Sequence, residues 1–184
     1  MIIKDLGRVD YQKTCDAMQA FTSDRDEHTP DELWLVEHAP VFTQGLNGKD
    51  EHILDPRTIP VINTDRGGQV TYHGPGQLIA YTLFDLKRMD IGVREMVSRM
   101  EASVISMLDE LDINANARAD APGVYVGGQK IASLGLRVKR GACYHGLSIN
   151  IAMDLTPFSY INPCGYKDME VIDLKSLGHN IDMP

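Results

Sequence analysis

"GVYVGGQKIASLGLRVKRGACYHGLSINIAM", residues 123 to 153, is the segment that decides the fold. Gly127 and Gly128 are a strong tight-turn signal, and the apolar runs on either side of them are typical of strands. Arg140 and Gly141 then separate the second strand from a third apolar run. We therefore predict two successive hairpins.

The rest of the chain alternates irregularly between further strands and two helices. A period near 3.6 predicts one helix capped by Asp10 and a second from about Gly92 to Leu111. The apolar positions are Tyr11, Cys15, Met18 and Phe21 in the first helix and Val93, Met96, Val97, Met100, Val104, Met107, Leu108 and Leu111 in the second. Strands are predicted in "DELWLVEH" (31–38), "IPVINT" (59–64), "QVTYH" (69–73) and "QLIAYTLFDL" (77–86). Without a regular βαβ alternation, this order predicts an α/β fold of the α+β type, with a mixed, largely antiparallel sheet and flanking helices.

The composition indicates one globular domain, residues 1–184, in which 43% of the residues are hydrophobic and 24% are charged. The formal net charge of −8 argues against a general nucleic-acid binder. No apolar run is long enough to cross a bilayer, and the start "MIIKDLGRVD" is not a secretion signal. A local basic patch at Arg137, Lys139 and Arg140 can still receive an acidic partner protein.

Three cysteines, Cys15, Cys143 and Cys164, occur without a Cys-x-x-Cys spacing. An odd number of thiols without a signal peptide predicts a reducing, cytoplasmic location. The "CYH" at 143–145 has no second ligand pair nearby, so no metal site is predicted. In "INPCGY" (161–166), proline and glycine flank Cys164, which indicates a thiol held in a constrained turn outside regular structure.

Two glycine-rich segments, "RGGQVTYHGPGQ" (66–77) and "GGQKIASLG" (127–135), stand out. The first lacks the phosphate-loop pattern and leads into a strand, so neither a P-loop nor a Rossmann site is predicted. Their glycines can bring the backbone close to a ligand, although a pair of tight turns explains either segment alone equally well.

Five motifs in order resemble the lipoyl(octanoyl) transferase family over almost the whole chain. They are "ELWLVEHAPVFTQG" (32–45), "RGGQVTYHGPGQLIAY" (66–81), "GVYVGGQKIASLGLRV" (123–138), "HGLSINI" (145–151) and "INPCGY" (161–166). The resemblance implies the biotin/lipoate protein ligase-like fold, and family members usually continue with a further C-terminal segment. It implies transfer of an octanoyl group, without a cofactor, from octanoyl-acyl carrier protein to a lysine of lipoyl domains. The acceptors it implies are the lipoyl domains of 2-oxoacid dehydrogenase complexes and the glycine cleavage H protein.

The same resemblance makes Cys164 the acyl-thioester nucleophile and Lys130 its partner. An ammonium group near a thiol favours the reactive thiolate, and a neutral lysine can later accept a proton from the attacking amine. The implied acyl pocket consists of Arg66, Gly67, Gly68, Gln69, Val70, Thr71, Tyr72, His73, Ser133, Leu134, Gly135, Gly146, Leu147 and Ser148. Backbone N–H groups at Gly67, Gly68, Leu134, Gly135, Gly146 or Leu147 are possible oxyanion donors. His73 and His145 lie in these segments, and for both we favour a hydrogen-bonded structural role.

Two alternatives remain open. An ATP-dependent lipoate or biotin ligase on the same fold would need an adenylate site and no nucleophilic cysteine. A non-catalytic acyl-group or lipoyl-domain binding module would keep the pocket, and its function would survive the change Cys164→Ser. A papain-like protease is disfavoured, because its cysteine opens a helix near the N-terminus and its histidine lies downstream.

Overall fold

The computed structural model describes residues 1–181. Its strands are β1 (Ile2–Val9), β2 (Glu32–His38), β3 (Val41–Gln44), β4 (Val61–Asn63), β5 (Val70–His73), β6 (Gln77–Leu83), β7 (Asn116–Ala117), β8 (Gly123–Val126), β9 (Gln129–Lys139) and β10 (Ala142–Asn150). Its helices are α1 (Tyr11–Asp24) and α2 (Val93–Asp109), and short 3₁₀ turns occupy Asp50–His52, Thr156–Tyr160 and Pro163–Gly165. None of the helices in this described range has the length and apolar character needed to cross a bilayer.

The strands form two sheets, and most neighbours are antiparallel. The larger sheet has the order β1-β2-β6-β10-β9-β8-β7, in which only β1 and β2 are parallel. The smaller sheet has the order β4-β3-β5, with β3 and β4 parallel. The predicted mixed, largely antiparallel architecture is therefore confirmed, although two sheets share the strands.

Both predicted hairpins are present because their turns have the required backbone angles. Gly127 and Gly128 have φ of 57° and 90°, and Arg140 and Gly141 have φ of 55° and 89°. Two successive positive φ values define the two-residue turn whose twist matches that of the flanking strands. These turns align β8 with β9 and β9 with β10, which makes β9 and β10 the centre of the site described below.

Helix α1 forms as predicted. The Asp10 carboxylate accepts a hydrogen bond from the Lys13 N–H at 2.9 Å and caps the first turn. Tyr11, Cys15 and Met18 are buried on one side of the helix, where they pack with Trp34 and other residues of β2 and β6. Helix α1 therefore covers one face of the larger sheet.

Helix α2 covers the opposite face. Met96, Met100, Val104 and Leu108 are buried against β8, β9 and β10. Val93 was predicted to belong to this stripe, but it is 46% exposed, because it occupies the first helical position and the packed stripe begins one turn later.

Three strands were not predicted: β1, β3 and β7. Every residue of β1 except the half-buried Val9 is exposed, so its sequence has no buried face to produce an alternating pattern. β3 and β7 have only four and two residues, which is too short for a periodic signal. β3 is nevertheless important, because it pairs with β5 and holds the loop that roofs the site.

Candidate active site

Cys164 lies in a single 3₁₀ turn in a backbone conformation that non-glycine residues rarely adopt. Its φ is 57° and its ψ is 15°. Gly165 N–H donates to Asn162 O at 2.9 Å, and Asn162 N–H donates to His52 O at 2.8 Å. Strained residues of this kind persist where the surroundings fix them, and they concentrate at functional sites. The turn therefore holds the thiol outside regular structure, as the sequence indicated.

His52 supports this turn and was not predicted. Its Nδ1 lies 3.4 Å from the Asn162 amide nitrogen. A Cβ added to Gly165, whose φ is 83°, would lie 3.3 Å from His52 Nε2. Glycine at position 165 thus lets the His52 ring pack against the turn that contains Cys164.

Lys130 is buried, and its ammonium group points at the thiol. The residue is 2% exposed, and its Nζ lies 3.0 Å from Cys164 Sγ. The segment that follows Cys164 returns beside Lys130, because Lys130 N–H donates to Glu170 O at 2.8 Å and its carbonyl accepts from Ile172 N–H at 3.0 Å. The fold thus brings together two residues 34 positions apart.

The groups around Lys130 Nζ define the electrostatic surroundings of this side chain. Within residues 1–181, no Asp or Glu oxygen lies within 4.0 Å of its Nζ. The Tyr125 ring lies 5.4 Å from Nζ and offers its negative face to the cation. A lysine nitrogen at hydrogen-bond distance from a thiol is a setting in which cysteine nucleophiles occur in proteins.

Gly123 makes room for this pair. A Cβ at this position would collide with Lys130 Cε and would lie 3.0 Å from its Nζ. The φ of Gly123 is 147°, which side chains rarely allow. The glycine that opens β8 therefore permits the lysine to fold over the strand toward Cys164, a requirement that the sequence did not reveal.

A cavity adjoins the thiol. It is lined by Tyr11, Arg66, Gly68, Gln69, Val70, Thr71, His73, Ile79, Tyr81, Ser133, Leu134, Gly135, His145, Gly146, Leu147, Ser148 and Cys164. The cavity lies on the α1 face of the larger sheet, under the loop that precedes β5. All predicted pocket residues except Gly67 and Tyr72 line it.

Gly67 and Tyr72 are corrections to the predicted pocket. Tyr72 faces the other side of β5, where its ring centroid lies 5.5 Å from those of Phe42 and Phe158. Successive strand residues face opposite sides, so a run of consecutive residues cannot all face the cavity. Gly67 instead donates its N–H to Leu136 O at 2.9 Å and ties the loop to β9.

Small residues form the floor of the cavity. Ser148 pairs with Ser133, and Gly146 pairs with Gly135, across β10 and β9. A Cβ on Gly135 would lie 3.1 Å from Gly67 O and narrow the slot, whereas a Cβ on Gly146 would collide with Ala80 O of β6. Leu134 and Leu147 alternate with these small residues and send their side chains into the core under α2.

Hydrogen bonds within the sheet remove several of the backbone N–H groups that were predicted as oxyanion donors. Gly67 N–H is bonded to Leu136 O, and Gly146 and Leu147 belong to a strand that is paired on both sides. Gly68 lies in the loop at the cavity, outside both ladders, with φ of 90°. Its N–H is therefore the best placed of the predicted loop donors.

Arg66 forms the roof. Its guanidinium donates to the carbonyl oxygens of Thr43 at 2.6 Å, Gln69 at 2.9 Å and Gly67 at 2.9 Å. These bonds fix the loop over the floor and tie it to β3. Burial lowers the pKa of Arg66, yet arginine remains charged in proteins.

Both histidines of the predicted segments are hydrogen-bonded. His73 Nδ1 lies 2.7 Å from Gln77 Oε1, and burial lowers the pKa of His73 to about 3, so its ring is neutral. His145 Nε2 lies 3.0 Å from Asp65 Oδ1, and burial lowers the pKa of His145 as well. The hydrogen bonds from His145 and Tyr144 hold the pKa of Asp65 at about 2. These contacts suit structural roles in the cavity wall.

Metal binding is not needed to explain these residues. Cys143 is buried in the core under α2 and contacts Thr82, so it does not join His145 in a "CYH" site. Cys15, Asp65 and His145 do place possible ligand atoms within 4.8 Å of one another. Hydrogen bonds from Tyr144 and His145 already occupy the Asp65 carboxylate.

Three cavity residues were missed by sequence reasoning: Tyr11, Ile79 and Tyr81. Each has the apolar spacing of an ordinary core position, so no sequence signal separates it from the core.

The basic residues Arg137, Lys139 and Arg140 are exposed at the β9–β10 turn, at the opposite end of β9 from Lys130.

Comparisons with known proteins identify the family of this chain. Residues 10–184 match the lipoyl protein ligase A/B catalytic domain family. An octanoyltransferase of Chromobacterium violaceum is 64% identical over 180 residues, which cover 98% of this chain and 87% of that protein. An octanoyltransferase of Saccharophagus degradans is 59% identical over 182 residues, which cover 99% of this chain and 84% of that protein.

Solved structures show the same fold at low sequence identity. Lipoate-protein ligase A bound with ATP has a TM-score of 0.81 at 16% identity, covering 98% of this chain and 78% of that one. The biotin protein ligase of Aquifex aeolicus in complex with biotin and ATP has a TM-score of 0.60 at 14% identity, covering 98% of this chain and 63% of that one. The predicted ligase-like fold is thus confirmed, and the chain belongs to the lipoyl protein ligase A/B catalytic domain family, among its octanoyltransferase members.

Proposed function

We propose that this protein transfers an octanoyl group from octanoyl-acyl carrier protein to a lysine of a lipoyl domain, through a thioester on Cys164. The observation that carries the proposal is the 3.0 Å contact between Cys164 Sγ and the buried Nζ of Lys130, beside a slot floored by small residues. The octanoyltransferase names of the close relatives support the choice of acyl group.

In the first half of the reaction, the Cys164 thiolate attacks the carbonyl carbon of the donor thioester. The new C–S bond forms, the bond to the carrier sulfur breaks, and Lys130 gives its proton to the departing sulfur. One thioester replaces another, so the step needs no ATP. Gly68, which lines the cavity, is our proposed N–H donor to the oxyanion of the tetrahedral intermediate.

In the second half, the acceptor amine attacks the Cys164 thioester and forms an amide. Lys130, neutral after the first half, accepts the amine proton, while Cys164 leaves as the thiolate. The ammonium and thiolate pair is restored, so protons balance over the cycle. The same short contact therefore serves both halves.

The acceptors in this proposal are the lipoyl domains of 2-oxoacid dehydrogenase complexes and of the glycine cleavage H protein. The match to the lipoyl protein ligase A/B family supports a lipoyl-domain acceptor. Because the mechanism needs Cys164 as a free thiol, we place the reaction in the reducing cytoplasm.

A ligase mechanism is the main competitor, because one structural neighbour is a lipoate-protein ligase bound with ATP. At 16% identity that likeness shows only the fold. A ligase has no use for a strained cysteine in contact with a buried lysine, and the dyad therefore favours transfer.

The proposal is tested by intact-protein mass spectrometry after mixing with octanoyl-acyl carrier protein. We expect one octanoyl adduct that forms without ATP, is released by hydroxylamine and maps to Cys164. Cys164→Ser should abolish the hydroxylamine-sensitive adduct and transfer to a lipoyl domain. Cys143→Ser is the matched control, since Cys143 is buried away from the site, and it should retain both. An absolute ATP requirement, or an adduct on Cys15 or Cys143, would overturn the mechanism.

A further inference from the structure

His145 interrupts β10 with a backbone conformation that strands do not use. Its φ is 61°, although its neighbours continue the ladder with β9. In a regular strand, Tyr144 and His145 would face opposite sides of the sheet. Here both reach the same carboxylate: Tyr144 donates its hydroxyl to Asp65, and His145 Nε2 lies 3.0 Å from it. The positive φ turns the His145 ring onto the cavity face.

The ring lies beyond the floor of the slot, on the side away from Lys130. Along β9, Lys130 is followed by Ser133, then by Gly135 and Leu136, and His145 pairs with Leu136. Leu136 lies three positions after Ser133, which corresponds to about 10 Å at the rise of a strand. An extended octanoyl chain measures about 9 Å, since each carbon–carbon bond of about 1.5 Å advances it by less than its length. Cys164, Ser133 and His145 line the same cavity, so an acyl chain on Cys164 that runs along the floor from Ser133 would end near His145.

Polar groups held by hydrogen bonds line this end of the slot. Tyr81 hydroxyl lies 2.7 Å from His38 Nε2, and its ring centroid lies 6.2 Å from that of His145. The Tyr11 hydroxyl donates to Thr64 Oγ1 at 3.2 Å. A longer acyl tail would have to break these hydrogen bonds in a buried place, where unpaired polar groups are costly.

We propose that His145 determines the acyl-chain length, by placing its ring as the end wall of the slot at a depth of about eight carbons. The inference rests on the proposed acyl transfer through Cys164. It assigns His145 a specificity role and no part in moving protons. The hydrogen bond to Asp65 makes that carboxylate a positioning group for the wall.

The deciding variant is His145→Gly, which removes the ring and also suits the positive φ of the position. Single-turnover acylation of Cys164 is measured with acyl-carrier thioesters of six to fourteen carbons. For twelve carbons relative to eight, we expect the rate ratio to rise at least about tenfold, as buried hydrogen-bonded walls discriminate by such factors. His145→Asn, which tolerates the same backbone angle with a shorter side chain, should move the preference toward ten carbons. His28→Gly, at an exposed position, should keep the wild-type profile.

A second measurement separates this inference from the proposed reaction. Alkyl methanethiosulfonates of eight and twelve carbons modify Cys164 by forming a disulfide and releasing a sulfinate, without any carrier protein or transfer. We expect His145→Gly to raise the relative rate of the twelve-carbon reagent at Cys164, whichever natural donor the protein uses. An unchanged dependence of the rate on chain length in folded His145→Gly and His145→Asn would overturn the proposed role of His145. Failure of octanoyl-carrier acylation with a shifted reagent profile would overturn only the proposed reaction.

Discussion

At the scale of single residues, the site depends on three positions with unusual surroundings. Cys164 has a positive φ, Lys130 is buried with no carboxylate partner within residues 1–181, and Gly123 leaves the space that Lys130 occupies. Pro163 and Gly165 made the first feature readable from the sequence. The second and third depend on contacts between distant segments, which no local pattern encodes.

Lys130→Ala tests the charge. Removing the ammonium should slow alkylation of Cys164 by iodoacetamide near neutral pH by about tenfold, because the neighbouring positive charge favours the thiolate. Lys130→Arg keeps the charge but cannot readily accept a proton, so it should retain part of the alkylation and lose transfer to the lipoyl domain. Lys175→Ala, at an exposed lysine outside the basic patch, is the control. If folded Lys130→Ala matches wild type in both assays, the dyad is wrong.

Gly123→Ala tests the space beside Lys130. The added methyl group would collide with Lys130 Cε and lie 2.8 Å from Ala132 O, so the lysine or its strand must shift. Cys164 acylation should therefore fall by about a hundredfold, the usual scale for a misplaced catalytic group. Gly127→Ala is the matched control, since Gly127 lies on the same hairpin at a positive φ with no atom within 4 Å of the new Cβ. It should cost about 1 kcal/mol of stability and leave acylation intact. Equal losses of activity in both variants would show that backbone strain alone, and not the collision, impairs the site.

At the scale of elements, local chemistry explains what could be predicted. The two hairpins follow from their turn residues, and α1 and α2 follow from capping and periodicity. β1 could not be found, since nearly all of it is exposed, and Tyr72 was misplaced because strand alternation was not applied to a continuous run of pocket residues. Strand register, which only the fold supplies, decides which residues line the slot.

Asp10→Ala tests the anchoring of α1, which carries Tyr11 into the cavity. Loss of the cap should lower the free energy of unfolding by about 1 kcal/mol, since the Lys13 N–H loses its acceptor. Asp24→Ala, at the other end of α1, is the control and should change stability by less than about 0.5 kcal/mol, since a carboxylate there opposes the helix dipole. Urea denaturation of the three proteins measures both effects. A cap that is dispensable would give Asp10→Ala the same midpoint as Asp24→Ala.

At the scale of the whole molecule, the larger sheet separates two tasks. Its α2 face holds a continuous apolar core, while its α1 face combines apolar packing with a cluster of aromatic and histidine rings around the slot. The proposed catalytic pair was predicted from the family resemblance of two motifs, each of which is continuous in the sequence. The end of the slot was not, because α1, β6 and β10 each contribute one wall residue, and only tertiary structure unites Tyr11, Tyr81 and His145.

This buried ring cluster makes the whole fold sensitive to acid. His38, His73 and His145 each have a lowered pKa through burial, and that of His73 is about 3. An unfolded histidine titrates near 6.5, so the stability from keeping His73 neutral is complete above that pH and declines as the pH falls toward 3, by about 1.4 kcal/mol per unit. His73→Gln, which can keep a polar contact to Gln77 without titrating, should be less stable than wild type at about pH 8 but should lose less stability on going to about pH 5. Urea unfolding at both pH values gives the change in unfolding free energy with pH for wild type and for His73→Gln. His28→Gln, at an exposed position, is the control. Parallel slopes for wild type and His73→Gln would show that His73 is protonated in the folded protein at the lower pH without penalty.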